Sequence, residues 1–174
     1  KDASAVQVRH ALDSDSVINV SVMMDLPRTA GEDIISYVER LMKFNPRPSI
    51  YQLDTVRHAL STESVGPMDE AFSVAAVKLK DVALEIDLVL YPTYDYEAVL
   101  KEVKTALYET ILNQYWIGED VTTLSYEAAL KQPGVQNAVV RIRYKTDLVR
   151  NLPVDDRSLG RVRKVTFNYI GRDR

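Results

Sequence analysis

The stretch Asp81–Tyr115 constrains this chain more than any other. Residues 81–91 (DVALEIDLVLY) alternate, with Val82, Leu84, Ile86, Leu88 and Leu90 on one face and Ala83, Glu85, Asp87 and Val89 on the other. A period of two with one apolar side is the mark of a half-buried strand. Pro92-Thr93 breaks the pattern. Asp95 is then placed to cap a helix running to about Gln114, in which Val99, Leu100, Val103, Leu107 and Ile111 share one side. Lys101, Glu102, Lys104 and Glu109 fall mainly outside that stripe. The remaining elements are expected to pack on this strand and helix.

Around this pair the pattern predicts a mixed sheet. Val17–Met24 reads as a strand that Pro27 ends, and Val6 and Val8, with Ala11 and Leu12, fit either a short strand or the tail of a preceding domain before the turn residues Asp13–Ser16. Thr29-Ala30-Gly31-Glu32 has the spacing of a capping box, which predicts a helix over 30–43 stopped by Asn45-Pro46-Arg47-Pro48. Ile50–Leu60 carries β-branched and aromatic residues and is expected to be extended, although Leu53, Val56, Arg57 and Leu60 also fit one helical face. Residues 61–68 contain Gly66-Pro67 and read as a loop, and 69–80 as a strand with Val77 out of phase.

After the central helix, Trp116–Asp120 reads as a turn, with Trp116 expected to seal the end of the core. Residues 121–131 hold a short helix that Gln132-Pro133-Gly134-Val135 terminates. Residues 137–145 form a strand with Val140, Ile142 and Tyr144 inward and Arg141, Arg143 and Lys145 outward. Residues 161–170 form the last strand, expected to pair with 137–145 as a long-looped hairpin. The predicted class is α+β: one mixed β-sheet with about three helices packed on it, in a single domain over 1–174.

Composition limits the chemistry. The 174 residues contain no cysteine, which removes disulfides, thiolate metal sites and cysteine nucleophiles. His10 and His58 are the only histidines. There is no phosphate-binding glycine loop, no H-E-x-x-H and no G-x-S-x-G. No apolar run approaches the roughly 18 residues of a membrane helix. Glu85 and Asp87 lie two apart on one strand face, where paired carboxylates serve acid–base work or a divalent cation. The stronger reading is a solvated face or ion pairs with a basic neighbour. His58 beside Arg57 is a possible general base, but a surface or interface histidine is the better reading.

Two features point to contacts instead. Tyr91, Tyr94 and Tyr96 cluster where the strong strand meets the helix, and tyrosine is enriched at protein interfaces. Charge is also divided along the chain. Residues 1–140 carry 12 Lys/Arg against 21 Asp/Glu, whereas residues 141–174 carry 10 against 4. The basic set Arg141, Arg143, Lys145, Arg161, Arg163 and Lys164 is thus a candidate interface. Pairing with an acidic face fits it best, and nucleic-acid binding is the alternative.

The order of segments resembles the phage baseplate J family, the baseplate wedge proteins of contractile tails and related injection machines. The residues that carry the resemblance run from about Val17 to Tyr144. They are the strand Val82–Leu90, the helix 95–114, a turn, a short helix and then Gln132-Pro133-Gly134-Val135-Gln136-Asn137-Ala138-Val139. Arg47-Pro48 after the first helix is similar as well. The resemblance implies the C-terminal portion of a wedge subunit in the virion tail baseplate, assembled in the host cytoplasm. Such portions self-associate, and their dimers join wedges into the inner ring around the hub. The implied partners are a second copy and other baseplate subunits. No catalytic residue, metal or cofactor is implied.

Overall fold

The computed structural model describes residues 6–12, 17–61 and 71–169, with side chains over 17–61 and 73–169. In chain order the elements are β1 (Val6–Leu12), β2 (Val17–Met24), α1 (Ile34–Lys43), α2 (Ile50–Ser61), β3 (Ala71–Ala76), β4 (Lys78–Leu90) and α3 (Tyr96–Asn113). After these come β5 (Val121–Thr122), α4 (Thr123–Ala129), β6 (Val135–Tyr144), β7 (Asp147–Val149), β8 (Asn151–Leu152) and β9 (Ser158–Tyr169). The class is α+β, with four described helices and mixed sheets. The turn expected over 13–16 lies outside the described residues, as do 62–68 of the loop expected over 61–68, residues 69 and 70 of the next expected strand and the His10 side chain; Ser61 ends α2.

The strands make two larger sheets and a two-stranded pair of β5 with β8. One sheet has the order β1-β2-β3, with β1 antiparallel and β3 parallel to β2; the other has the order β7-β6-β4-β9. The single mixed sheet expected from the sequence is therefore divided. The division falls at Val77, the residue that breaks the alternation. Val77 is buried, and its amide donates to Val22 O at 3.0 Å, while the Lys78 amide donates to Arg157 O at 2.9 Å. The chain thus leaves one sheet and enters the other within one residue, and the phase change in the sequence is that crossing.

β4 is the central strand of the four-stranded sheet. Its even positions Val82, Leu84, Ile86, Leu88 and Leu90 are buried against Val99, Val103, Leu107, Tyr108 and Ile111 of α3. Each fully buried aliphatic side chain there contributes about 1.5–3 kcal/mol of transfer free energy. α1 packs beside α3 and over β9, and α4 packs beside α3 and over β6, so three helices cover one face. α3 starts where the sequence places it: the Asp95 carboxylate accepts from the Glu97 amide at 3.2 Å. α1 starts later than expected. Its N-cap is Asp33, which accepts from the Ser36 amide at 3.0 Å. Glu32 still receives the Thr29 amide at 2.9 Å, but in the preceding turn, and its carboxylate is held by Arg40 at 2.7 Å.

Two further expectations are corrected. Residues 50–61 are the helix α2, not an extended segment. The Ser49 hydroxyl and Gln52 form its first turn, and Leu53, Val56 and Leu60 lie on the cluster of Val20, Val22 and Val74. The helical face beat the β-branched composition because this face alone meets apolar side chains of the sheet. The hairpin of 137–145 with 161–170 is also absent, because β6 and β9 lie on opposite sides of β4. β6 runs antiparallel to β4, and β9 parallel to it. A 13-residue strand presents amides and carbonyls on both edges, and each basic strand pairs with one of them. The actual hairpin partner of β6 is β7, joined through Lys145-Thr146 with Lys145 at φ 54°.

Candidate functional site

The nine candidate interface residues divide into three places. Tyr91, Tyr94 and Tyr96 do come together, at the end of β4 and the start of α3. The Tyr91 amide donates to Gly134 O at 3.0 Å, and the Tyr94 amide to Tyr91 O at 3.3 Å. Gly134 has φ 92°, and a Cβ there would stand 2.5 Å from Val99 Cγ2 and 3.1 Å from the Tyr94 ring. Glycine is thus required twice over, by backbone conformation and by close approach. Tyr91 and Tyr94 are 46% and 48% exposed. The Tyr96 ring packs on Tyr169, with centroids 4.9 Å apart. Burial, together with a hydrogen bond to Tyr96, pushes the Tyr169 phenol above its ordinary pKa. Tyr169 was not among the candidates. Its place on the last strand is clear in the sequence, but only the parallel register Leu88 to Tyr169 brings it to this corner.

Arg141 and Arg143 occupy the second place, the β4 face opposite the helices. Antiparallel register sets Glu85 opposite Arg141 and Asp87 opposite Val139, and the side chains pair diagonally. Arg143 grips Glu85 with two hydrogen bonds, at 2.8 and 3.2 Å. Arg141 pairs with Asp87, which also accepts from Asn168 Nδ2 at 3.0 Å. The hydrogen bonds from Asn168 and then Arg141 hold the Asp87 carboxyl below its ordinary pKa, and the Arg143 contact does the same for Glu85. Glu85 and Asp87 are therefore ion-pair partners in a ladder across three strands. Lys145 lies at the end of β6, its ammonium 5.3 Å from the Tyr144 ring centroid.

Arg161 and Arg163 occupy the third place, at the end of α1, where Arg161 is enclosed and Arg163 stays exposed. Arg161 is buried. It grips Asp81 with two 2.8 Å hydrogen bonds and donates to Phe44 O at 2.6 Å. Arg163 donates to Met42 O at 3.0 Å. These carbonyls end α1, where the helix has no internal donors and its dipole favours cations. Two arginines that looked like surface charge thus fasten a helix end to the sheet. Lys164 is exposed on the outer face of β9.

Trp116, expected to seal the core, is 55% exposed; its neighbours Tyr115 and Ile117 are buried and take that part against Met23, Leu41, Val77 and Leu159. His58 is exposed on α2, which packs on β3 in the other sheet from Glu85 and Asp87. Among the described residues no group of three or more His, Asp or Glu side chains gathers to hold a metal ion. A cleft of about 540 Å³ beside α4 is lined by Thr123, Glu127, Val139, Arg141, Leu148 and Arg150, and its Arg141 is already committed to Asp87. No described helix is long and apolar enough to cross a membrane. No protein-family model matches the sequence, and no curated protein matches it.

Proposed function

We propose that this chain is a structural subunit of a contractile tail baseplate, the C-terminal portion of a wedge protein that self-associates to link wedges into the inner ring around the hub. One observation supports the reading best. The segments from Val82 to Val139, which carry the main part of the resemblance to the baseplate J family, pack as one unit. In it α3 lies on β4, α4 follows, and Pro133-Gly134-Val135 returns the chain as β6 against β4. The Tyr91 amide to Gly134 O hydrogen bond and the approach of Gly134 to Val99 and Tyr94 close the unit. Within the unit Glu85 and Asp87 are paired with Arg143 and Arg141, which suits a building block.

The nucleic-acid reading loses most of its basis by the same geometry. Of its six cations, Arg141, Arg143 and Arg161 are each paired with a carboxylate, and Arg163 serves a helix end. Neutralised cations release few counterions on meeting a phosphate backbone.

Immunogold electron microscopy tests the baseplate role. Antibody against this chain is expected to label the baseplate end of contractile tail particles from cells that make it. Particles labelled nowhere overturn the reading. A salt titration of binding to duplex DNA tests the alternative, with weak and nearly salt-independent binding expected.

A further inference from the structure

We propose that the outer edge of β9, over Arg163–Tyr169, is where a second copy of this chain pairs, extending the β7-β6-β4-β9 sheet across a two-fold axis at Thr166. The proposal rests on the self-association reading above and specifies its surface.

β9 is an edge strand, with β4 on one side only. Along an edge strand, alternate residues turn amide and carbonyl groups to the unpaired side, where they template another strand. The first part of β9 is already closed. Leu159 bridges to Ile117, the Gly118 amide donates to Ser158 O at 2.9 Å, and Ser158 to Val162 are buried. The β4 register shifts between Val82 and Ala83, and Arg163 is the extra residue of that bulge. Beyond it, residues 163–169 are only partly covered, and among the described residues no strand pairs with their outer side.

An isologous antiparallel contact pairs this stretch with itself about its midpoint, Thr166. Each facing pair in that register is compatible. Val165 meets Phe167 of the second copy on the helix side, and Arg163 meets Tyr169 there, a cation near an aromatic ring. On the outer side Lys164 meets Asn168, and Thr166 meets Thr166. No two like charges face each other. Tyr169 is 43% exposed and packs at a tilt against Tyr96, so the tyrosine corner borders the seam. A second copy fits this edge better than a strand of arbitrary sequence, because the stretch is complementary to itself.

The absence of cysteine makes the test direct. Analytical ultracentrifugation of the unaltered chain is expected to show a dimer. Thr166→Cys should cross-link to itself under mild oxidation, whereas Asn168→Cys, which faces Lys164, should not. Thr166→Lys sets two ammonium groups opposite each other and should weaken the dimer about fivefold or more. Mixing it with Thr166→Glu should restore association as a heterodimer. Circular dichroism checks that each variant is folded. A monomer at high concentration overturns this proposal together with the self-association reading. A dimer that Thr166→Lys leaves intact, with no cross-link at residue 166, overturns the β9 edge alone and leaves self-association standing.

Discussion

α3 and α2 are both helices laid on a sheet, and they are held very differently. α3 buries Val99, Val103, Leu107, Tyr108 and Ile111 against the apolar face of β4. α2 has no buried residue and touches its sheet through the partly buried Leu53, Val56 and Leu60, while Ile50 and Tyr51 are 78% and 81% exposed. A helix gains most of its stability in a protein from burying one face and little from propensity. The difference teaches that α3 belongs to the stable scaffold with β4, and that α2 is a lighter attachment to its sheet.

The first way to break that comparison is to cut equally on both sides. Leu107→Ala is expected to cost about 2–5 kcal/mol in urea denaturation, because Leu107 is wholly enclosed. Leu53→Ala should cost less than half as much, and α2 amides should exchange faster than those of α3. Equal costs would mean that α2 is as firmly docked as α3.

Gly134→Ala comes next. It forces a side chain into a left-handed backbone conformation and against Val99 and Tyr94. The expected loss is about 2 kcal/mol or more, with the near-ultraviolet tyrosine signal altered. A neutral result would show that the Pro-Gly-Val turn does not lock the scaffold.

The two kinds of arginine sharpen the contrast between interior and face. Arg161→Met leaves Asp81 and the Phe44 carbonyl without their donor and should cost about 1–3 kcal/mol. Arg143→Met removes a half-exposed pair and should cost about 1 kcal/mol or less. If the order reversed, the ladder on the open face would matter more than the staple on α1.

The smallest effect is acidic. Glu85 and Asp87 have folded pKa values below their ordinary ones, so the unfolded chain binds their protons more readily. Their contribution is complete above the ordinary carboxylate range and is lost as pH falls through the depressed folded values. The melting temperature should therefore decline more steeply in that acid range for the unaltered chain than for the double variant Arg141→Gln with Asn168→Ala, which strips Asp87 of its partners and leaves Arg143 on Glu85. Identical slopes would show that Arg141 and Asn168 do not set the Asp87 pKa.

Much of this was legible from local pattern. β4 and α3 announce themselves because each presents one unbroken apolar face with the period of its own element, and Asp95 sits at the helix start. Ion pairs for Glu85 and Asp87 were a fair reading of charged residues on one face of a strand. α2 was not legible, because its apolar face is narrow and its β-branched residues speak for a strand. The fate of the basic residues was not legible either, since alternation says which residues share a face but not what lies beside them.

By itself, the sequence determined the α+β class, the central strand and helix, the tyrosine corner and the turn at Gly134, all of which follow from residue spacing and backbone chemistry. Only the tertiary structure decided that the sheet divides at Val77, that β9 runs parallel to β4 on the far side from β6, and that Arg161 and Arg163 donate to the last carbonyls of α1. The physical reason is that strand neighbours and ion-pair partners are chosen between residues distant in the chain. Arg161 and Phe44 are 117 positions apart, and no local period records such a contact.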